Sequence, residues 1–230
     1  MTVEQLSRST EDYLKAIYTL TLGGHETHTQ ALADMLEIAP ASVTNMLQKL
    51  DELQPPLVDY HKRQGVKLTE AGRHAALRVI RRHRLVEQFL YEILGYSWEQ
   101  VHAEAEELEH VISDRFEDRL AVLLGEPKFD PHGEPIPDRQ LGLWAGPRLS
   151  RLCDLKAGDH AVVRQVAANQ PGLLAYLTKI GVGLGTQLMV SQRNPLDGAL
   201  LVRLEALGTL HAISNEAACA VEVEIMQKDD

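Results

Sequence analysis

The sequence predicts an α+β chain of several small domains, and three observations predict it. Helical spacing dominates the first half, short strand-like runs fill residues 158–226, and a Pro-rich uneven stretch, GEPKFDPHGEPIPD, separates the two. At 230 residues there is room for two to three such domains. Apolar content of 44% fits a globular protein, and no apolar run approaches the roughly 20 residues of a membrane span. No membrane partner is therefore expected. The opening MTVEQLSRSTEDYL has neither a basic region nor an apolar core, so no signal peptide and a cytoplasmic location are expected. Cys153 and Cys219 lack CxxC spacing and read as buried thiols of a reducing compartment.

Each element follows from local spacing. In SRSTEDYLKAIYTLTL, a Ser/Thr cap precedes Tyr13, Leu14, Ile17, Tyr18 and Leu20 near helical spacing, which predicts a first helix over residues 7–22. After the Gly23-Gly24 break, Thr29 can cap a short helix, QALADMLEI. A turn at Ala39-Pro40 leads into ASVTNMLQKLDEL, a helix with Val43, Met46, Leu47 and Leu50 inward. LVDYHKRQGVKLT then alternates, turns through a basic Gly-containing tip and alternates again, as a β-hairpin does. Helices and basic hairpin in this order predict a winged helix-turn-helix. Glu70–Tyr96 and Ser97–Leu124 read as two long amphipathic helices, longer than a DNA-reading module needs, and are expected to pack as a dimer interface. HAVVRQVA, TQLMVSQ, ALLVRLEA, TLHAIS and AVEVEIM, with PGLLAYLTKIG between the first two, predict a small SH3-sized β-barrel.

Net charge is −10, which alone argues against nucleic acid; its distribution argues otherwise. Residues 40–84 carry nine Lys/Arg against four acids, and residues 85–125 carry two against ten. The first block can face phosphates and the second cannot.

The acidic block contains HAEAEELEH, His102 to His110, with a histidine at each end. On a helix His102, Glu106, Glu109 and His110 share one stripe, because residues three and four apart are neighbours. His83 and Glu87 are also four apart on the preceding helix, and Asp12 sits on the first. A solvated face explains glutamates but gains nothing from histidines. Carboxylates and imidazoles without thiolate suit Mn2+ or Fe2+ better than structural zinc. An enzyme is disfavoured. Glu99-x-x-His102 and Glu107-x-x-His110 copy a di-iron motif, but both lie on one helix and cannot converge, and no phosphate loop, GxSxG or HExxH occurs.

STEDYLKAIYTL, PASVTNMLQKLDE, LTEAGRHAALRVIRRHRLVEQFL, HAEAEELEH and PHGEPIP together resemble the diphtheria-toxin-repressor family of metal-dependent transcription regulators, including its manganese-sensing branch. The resemblance spans the chain. It implies a winged helix-turn-helix over residues 1–73, a helical metal-binding and dimerisation domain over 74–140, a linker over 141–157, and an SH3-like domain similar to FeoA domains over 158–230. It implies a primary metal site of Asp12, Glu106, Glu109 and His110, with hard oxygens at Asp12 and Glu106 as in the manganese sensors. Lys15 departs from those sensors, which carry Glu there and pair two ions. A second site would use His83, Glu87 and His102 as in the iron-sensing branch, with Gln170 as the only match for that branch's ligands from the barrel. Two ions of Mn2+ or Fe2+ per subunit are thus expected.

The second helix of a helix-turn-helix enters the major groove, exposing Ala39, Ala41, Ser42, Thr44 and Asn45 to base edges. Lys49, Lys62, Arg63 and Lys67 are the phosphate candidates. The resulting expectation is a homodimeric repressor of metal-uptake genes on a double-stranded operator with an inverted repeat, with the metal as corepressor. Without an ion, the clustered carboxylates are expected to repel one another and release the reading head. The alternative reading is a metal-independent winged-helix regulator answering to a small molecule; a metal-storage protein working through its barrel is a further rival.

Overall fold

The structure, a computed structural model, describes residues 6–22, 24–167 and 170–226. Residues 1–5, part of the segment on which the signal-peptide reading rests, and Gly23 of the Gly-Gly break lie outside the described residues. The chain divides into two compact units. The first comprises Met1–His83, Glu107–Glu117 and Pro137–Gly142, and the second Arg84–Glu106, Asp118–Ile136 and Leu143–Asp230.

The first unit begins with α1 (Arg8–Leu20), capped by Ser7, whose hydroxyl oxygen accepts from the Thr10 amide at 3.2 Å. Tyr13, Leu14, Ile17 and Tyr18 recur at helical spacing and are buried. α2 (Thr29–Met35) and α3 (Pro40–Asp51) follow, and Pro40 at the first turn of α3 loses nothing by lacking an N–H there. β1 (Val58–His61) pairs antiparallel with β2 (Gly65–Leu68), from Val58 opposite Leu68 to His61 opposite Gly65. A single bridge from Thr27 to Val66 adds a third stretch of extended chain to this wing. Leu14, Ile17, Leu32, Val43, Leu47, Leu57 and Val66 make the core, each nearly inaccessible and each contributing about 1.5–3 kcal/mol by its burial.

α4 (Glu70–Glu92) starts in this unit. Thr69 fixes its entry: the hydroxyl donates to the Pro56 carbonyl at 2.6 Å and accepts from the Gly72 amide at 3.1 Å. A Cβ on Gly72 would lie 1.8 Å from the Leu57 carbonyl oxygen, so only glycine lets α4 approach the wing this closely.

The long helix expected over Ser97–Leu124 is two helices, α5 (Val101–Leu108) and α6 (Asp114–Leu123). The break has a local cause. Ser113 accepts from the Phe116 amide at 3.3 Å and starts a new helix, while Glu109 and His110 turn inward in the gap.

The second unit is dominated by an antiparallel sheet. Its order is β3 (Ser150–Arg151), β8 (Val221–Ile225), β4 (His160–Val166), β5 (Gln187–Arg193), β6 (Leu200–Leu204) and β7 (Leu210–Ile213). The expected strands are all present, with the short β3 added. The domain has the small SH3-like form expected, and its sheet is not closed: among the described residues β3 and β7 do not pair. α7 (Pro171–Lys179) and α8 (Asn215–Cys219) complete its core with Leu174, Leu177 and Ala218.

Free thiols are also corrected. Cys153 and Cys219 form a disulfide, because a 3-10 turn at Leu152–Asp154 meets α8 and brings their Cα atoms to 4.8 Å. A sequence separation of 66 residues hides that approach.

The Pro-rich stretch around His132 and Gly133 lies against the sheet. The Val166 amide donates to the His132 carbonyl at 2.9 Å, and Gly133 has φ +87°. A Cβ there would meet the Arg164 carbonyl oxygen at 2.0 Å. Gly133→Ala should destabilise this unit by roughly 1–3 kcal/mol or more, read from urea unfolding, because both the backbone region and the space exclude a side chain. An unchanged midpoint would contradict this packing.

Candidate metal centre and DNA-facing surface

Asp12 and Glu11 stand on α1, one turn ahead of Lys15, and Glu109 and His110 stand in the gap between α5 and α6. All belong to the first compact unit, as does His83 on α4. One donor atom each from Asp12, Glu109 and His110 lies within 4.8 Å of the others. His110 Nε2 is 2.9 Å from Asp12 Oδ1 and 3.2 Å from Glu109 Oε1, and its Nδ1 is 2.6 Å from Glu11 Oε2. Glu109 is inaccessible to solvent. Its Oε2 meets His83 Nδ1, and the Lys15 ammonium donates to both oxygens at 2.8 and 3.1 Å. Arg8 donates twice to Glu107 at 3.2 Å, a second tie between α1 and the end of α5.

The electrostatics follow from these contacts. Burial opposes ionisation of Glu109, but hydrogen bonds from His110 and His83 and the Lys15 charge outweigh it and hold its carboxyl well below the usual carboxylate range. Burial also opposes charge on His110, and there the Glu109 and Glu11 carboxylates prevail and raise its pKa. Asp12 is pushed up, first by burial, with His110 and Lys15 acting against the rise. The expected repulsion between bare carboxylates persists between Glu109 and Asp12, but it is offset. A cationic group already sits among them, because the Lys15 ammonium reaches Glu109 across 94 residues of sequence.

Glu106 stands on α5 and belongs to the second unit. Its carboxylate lies 3.6 Å from His102 Nε2, and the single stripe read from the sequence is split by the helix break after Leu108. In the second unit His102 Nδ1 lies 3.0 Å from Glu87 Oε1. His83 precedes Glu87 by one turn of α4. Gln170 is exposed at the start of α7 and makes no side-chain capping bond.

Asp130 and His132, which the sequence reading passed over, come together with Glu87: one donor atom from each lies within 4.8 Å, and all three residues are buried. His132 Nε2 donates to the Trp98 carbonyl at 3.1 Å, which leaves Nδ1 as a lone-pair acceptor whenever the ring is neutral. Among the described residues that Nδ1 has no hydrogen-bond partner, and it lies 3.8 Å from Glu87 Oε2. Burial, then the charges of Glu87 and Glu134, push Asp130 up to about 8. Such a carboxylate-rich pocket around an imidazole suits a cation. The signal was the histidine inside PHGEPIP, which reads as linker composition until Gly133 is seen to press it against β4.

The donors in both groups are oxygen and imidazole nitrogen, a set that fits Mn2+ or Fe2+.

On the reading head, Ala39, Ala41, Ser42, Asn45 and Lys49 are exposed along α3, and Thr44 is half-buried with its hydroxyl donating to the Pro40 carbonyl at 3.1 Å. Lys62 and Arg63 are exposed at the wing tip. Lys67 is exposed but pairs with Asp59 at 3.1 Å. Arg78, Arg81 and Arg82 are spent otherwise. Arg78 pairs with Asp114 at 3.0 Å, Arg81 is buried against Glu117 at 2.8 Å, and Arg82 reaches both acids. The basic block is thus partly neutralised by α6, and its outward charge is concentrated on α3 and the wing.

A winged-helix head that shares one compact unit with a cluster of candidate metal ligands fits the class of DNA-binding regulators with a cation site. Comparison with known proteins makes this specific. Residues 5–66 match the family model of the iron-dependent repressor N-terminal DNA-binding domain, 69–138 that of its metal-binding and dimerisation domain, and 150–225 the FeoA domain. The iron-dependent repressor IdeR of Mycobacterium tuberculosis is 32% identical over 233 residues, covering 96% of this chain and 99% of that one. The HTH-type transcriptional regulator MntR of Oceanobacillus iheyensis is 38% identical over 122 residues, covering 53% of this chain and 81% of its own. A solved manganese-dependent transcriptional repressor in complex with manganese superposes with a TM-score of 0.85 at 35% identity, covering 94% of this chain and 100% of that one. The manganese regulator SloR gives 0.77 at 30% identity, covering 94% and 98%. The chain belongs to the iron- and manganese-dependent repressor family, whose members are DNA-binding transcriptional regulators rather than enzymes. Among the described residues no helix is long and apolar enough to cross a membrane.

Proposed function

We propose that this chain is a cytoplasmic, homodimeric repressor of metal-uptake genes that binds an inverted-repeat operator when Mn2+ or Fe2+ is bound as corepressor. The observation that carries the reading is the meeting of Asp12 from α1 with Glu109 and His110 from the α5–α6 gap. α1 also packs on α2 and on the wing strand β2, so a ligand on α1 ties metal occupancy to the reading head.

Asp12, Glu109 and His110 would hold one ion, with Glu106, one turn before them, as a fourth donor. Glu87, His102, Asp130 and His132 would hold a second, with His83 and Gln170 as outer candidates. A bound ion supplies concentrated positive charge that carboxylates from separate elements share. In the metal-free chain the Lys15 ammonium and hydrogen bonds at His110 balance part of that charge. Exchange of proton-mediated ties for ion-mediated ones selects one arrangement of α1, which is a population shift with a named differential contact. Asn45, Ser42, Thr44, Ala39 and Ala41 would face base edges, and Lys49, Lys62, Arg63 and Lys67 the phosphates.

Counting bound Mn2+ by elemental analysis and calorimetry tests the site assignment. Wild type should hold two ions per chain, Asp12→Ala should lose one, and His132→Ala should lose the other. Loss of the same ion in both variants, or of neither, would overturn the assignment.

A further inference from the structure

We propose that Cys153 and Cys219 form a reversible thiol–disulfide exchange site, attacked at Cys219 by a low-molecular-weight thiol, whose bond latches the start of the FeoA domain. This holds independently of the metal reading. Both cysteines belong to the second compact unit. Cys153 lies in the 3-10 turn Leu152–Asp154 and is buried, whereas Cys219 ends α8 and is half-buried. Exchange needs a thiolate to reach one sulfur of the bond, and the side of Cys219 is the more open approach. Both redox states keep the fold. Leu152, Leu155 and Ala218, none more than 2% exposed, hold the turn and α8 in the domain core without help from the bond. The two Cα atoms are 4.8 Å apart, within the span of a disulfide, so freed thiols stay within reach of each other.

The exchange balances in two steps. A thiolate attacks Cys219 Sγ and forms a mixed disulfide; the Cys153–Cys219 bond breaks, and its electron pair leaves on Cys153 Sγ, which takes a proton from water. A second thiolate then attacks the thiol-derived sulfur of the mixed disulfide, and Cys219 leaves as a thiolate and is protonated. Two thiols are oxidised to one small disulfide while the protein disulfide is reduced. What the bond controls follows from its place. It spans 66 residues, from ahead of β4 to beyond β7, and so restricts the unfolded chain. It also fixes the turn that follows β3, a strand paired with β8 at only two positions, Ser150 opposite Val223 and Arg151 opposite Glu222. Reduction removes the covalent anchor of this short edge strand and lets it fray.

The test uses full-length protein in buffers of reduced and oxidised glutathione, with free thiols trapped by N-ethylmaleimide and mapped by mass spectrometry. Two free thiols per chain should appear as reduced glutathione is raised and vanish as the oxidised form is raised, with the circular dichroism spectrum unchanged. The intermediate adduct should map to Cys219. Reduced protein should melt about 5–10 °C lower. Trypsin should cut after the exposed Arg148 and Arg151, which flank β3, about fivefold faster or more in the reduced form. Cys153→Ser should take up glutathione at Cys219, and Cys219→Ser, left with the buried Cys153, should not. Thiols that appear only after unfolding would overturn the proposal and make the bond an inert staple. Thiols that persist in excess oxidised glutathione, or an adduct on Cys153, would overturn it too. Should either variant fail to fold, the wild-type titration and its adduct map decide alone.

Discussion

Replacing His110 with alanine should abolish Mn2+-stimulated DNA binding while leaving the reading head folded. His110 is the residue on which the cluster converges, with Glu11, Asp12 and Glu109 all within 3.2 Å of its ring nitrogens. Its loss removes the only imidazole of the Asp12–Glu109–His110 set and one of the groups that compensate Glu109. Outer-shell changes alone cost about 10–100-fold in metal affinity, so loss of a direct ligand should cost roughly 100-fold or more. The fold should survive. His110 lies in a turn between helices, and Glu109 retains Lys15 and His83. Circular dichroism and the unfolding midpoint check that survival separately from binding. A wild-type metal response in this variant would remove His110 from the centre.

The second large effect concerns the reading head. Log affinity for DNA should fall steeply with log salt, because a dimer presenting Lys49, Lys62 and Arg63 to each half-site releases counterions on binding. Lys62→Ala should weaken all sequences about equally and flatten the slope by about one. Lys67→Ala should do less, since Asp59 already partners that ammonium. Asn45→Ala should behave differently, losing roughly 1–3 kcal/mol of discrimination at one base pair per half-site with little change in slope. A change of base preference in Lys62→Ala, with none in Asn45→Ala, would reverse these roles.

Much of this was legible before any coordinates. The head reads out clearly because Leu14, Ile17, Val43, Leu47 and Leu50 keep helical spacing, Pro40 marks a helix start, and the wing alternates around a basic turn. The strands of the second unit read out for the same reason. What stayed hidden depends on contacts distant in sequence. Nothing local shows that Lys15 and His83 both reach Glu109, or that Cys153 meets Cys219 across 66 residues. The stripe from His102 to His110 assumed an unbroken helix, and Ser113 ends that assumption by capping a new one. His132 looked like linker because its burial comes from Gly133 lying against Arg164, which composition does not encode.

The arginines teach a related lesson about charge. Counted along the chain, Arg78, Arg81 and Arg82 made residues 78–84 the densest part of a basic block. In space they neutralise Asp114 and Glu117 of α6. A regional charge sum says where cations are, and only packing says which way they face.

On the proposed mechanism a divalent ion switches this chain onto DNA. It is tested most directly by measuring affinity for one DNA fragment, selected from a random pool by the Mn2+-loaded protein, with and without metal. Fluorescence anisotropy at fixed salt should show tight binding as Mn2+ is titrated into metal-free protein, reversal on adding EDTA, and no such transition for His110→Ala. Equal affinity for the fragment in the presence of Mn2+ and of EDTA would contradict it.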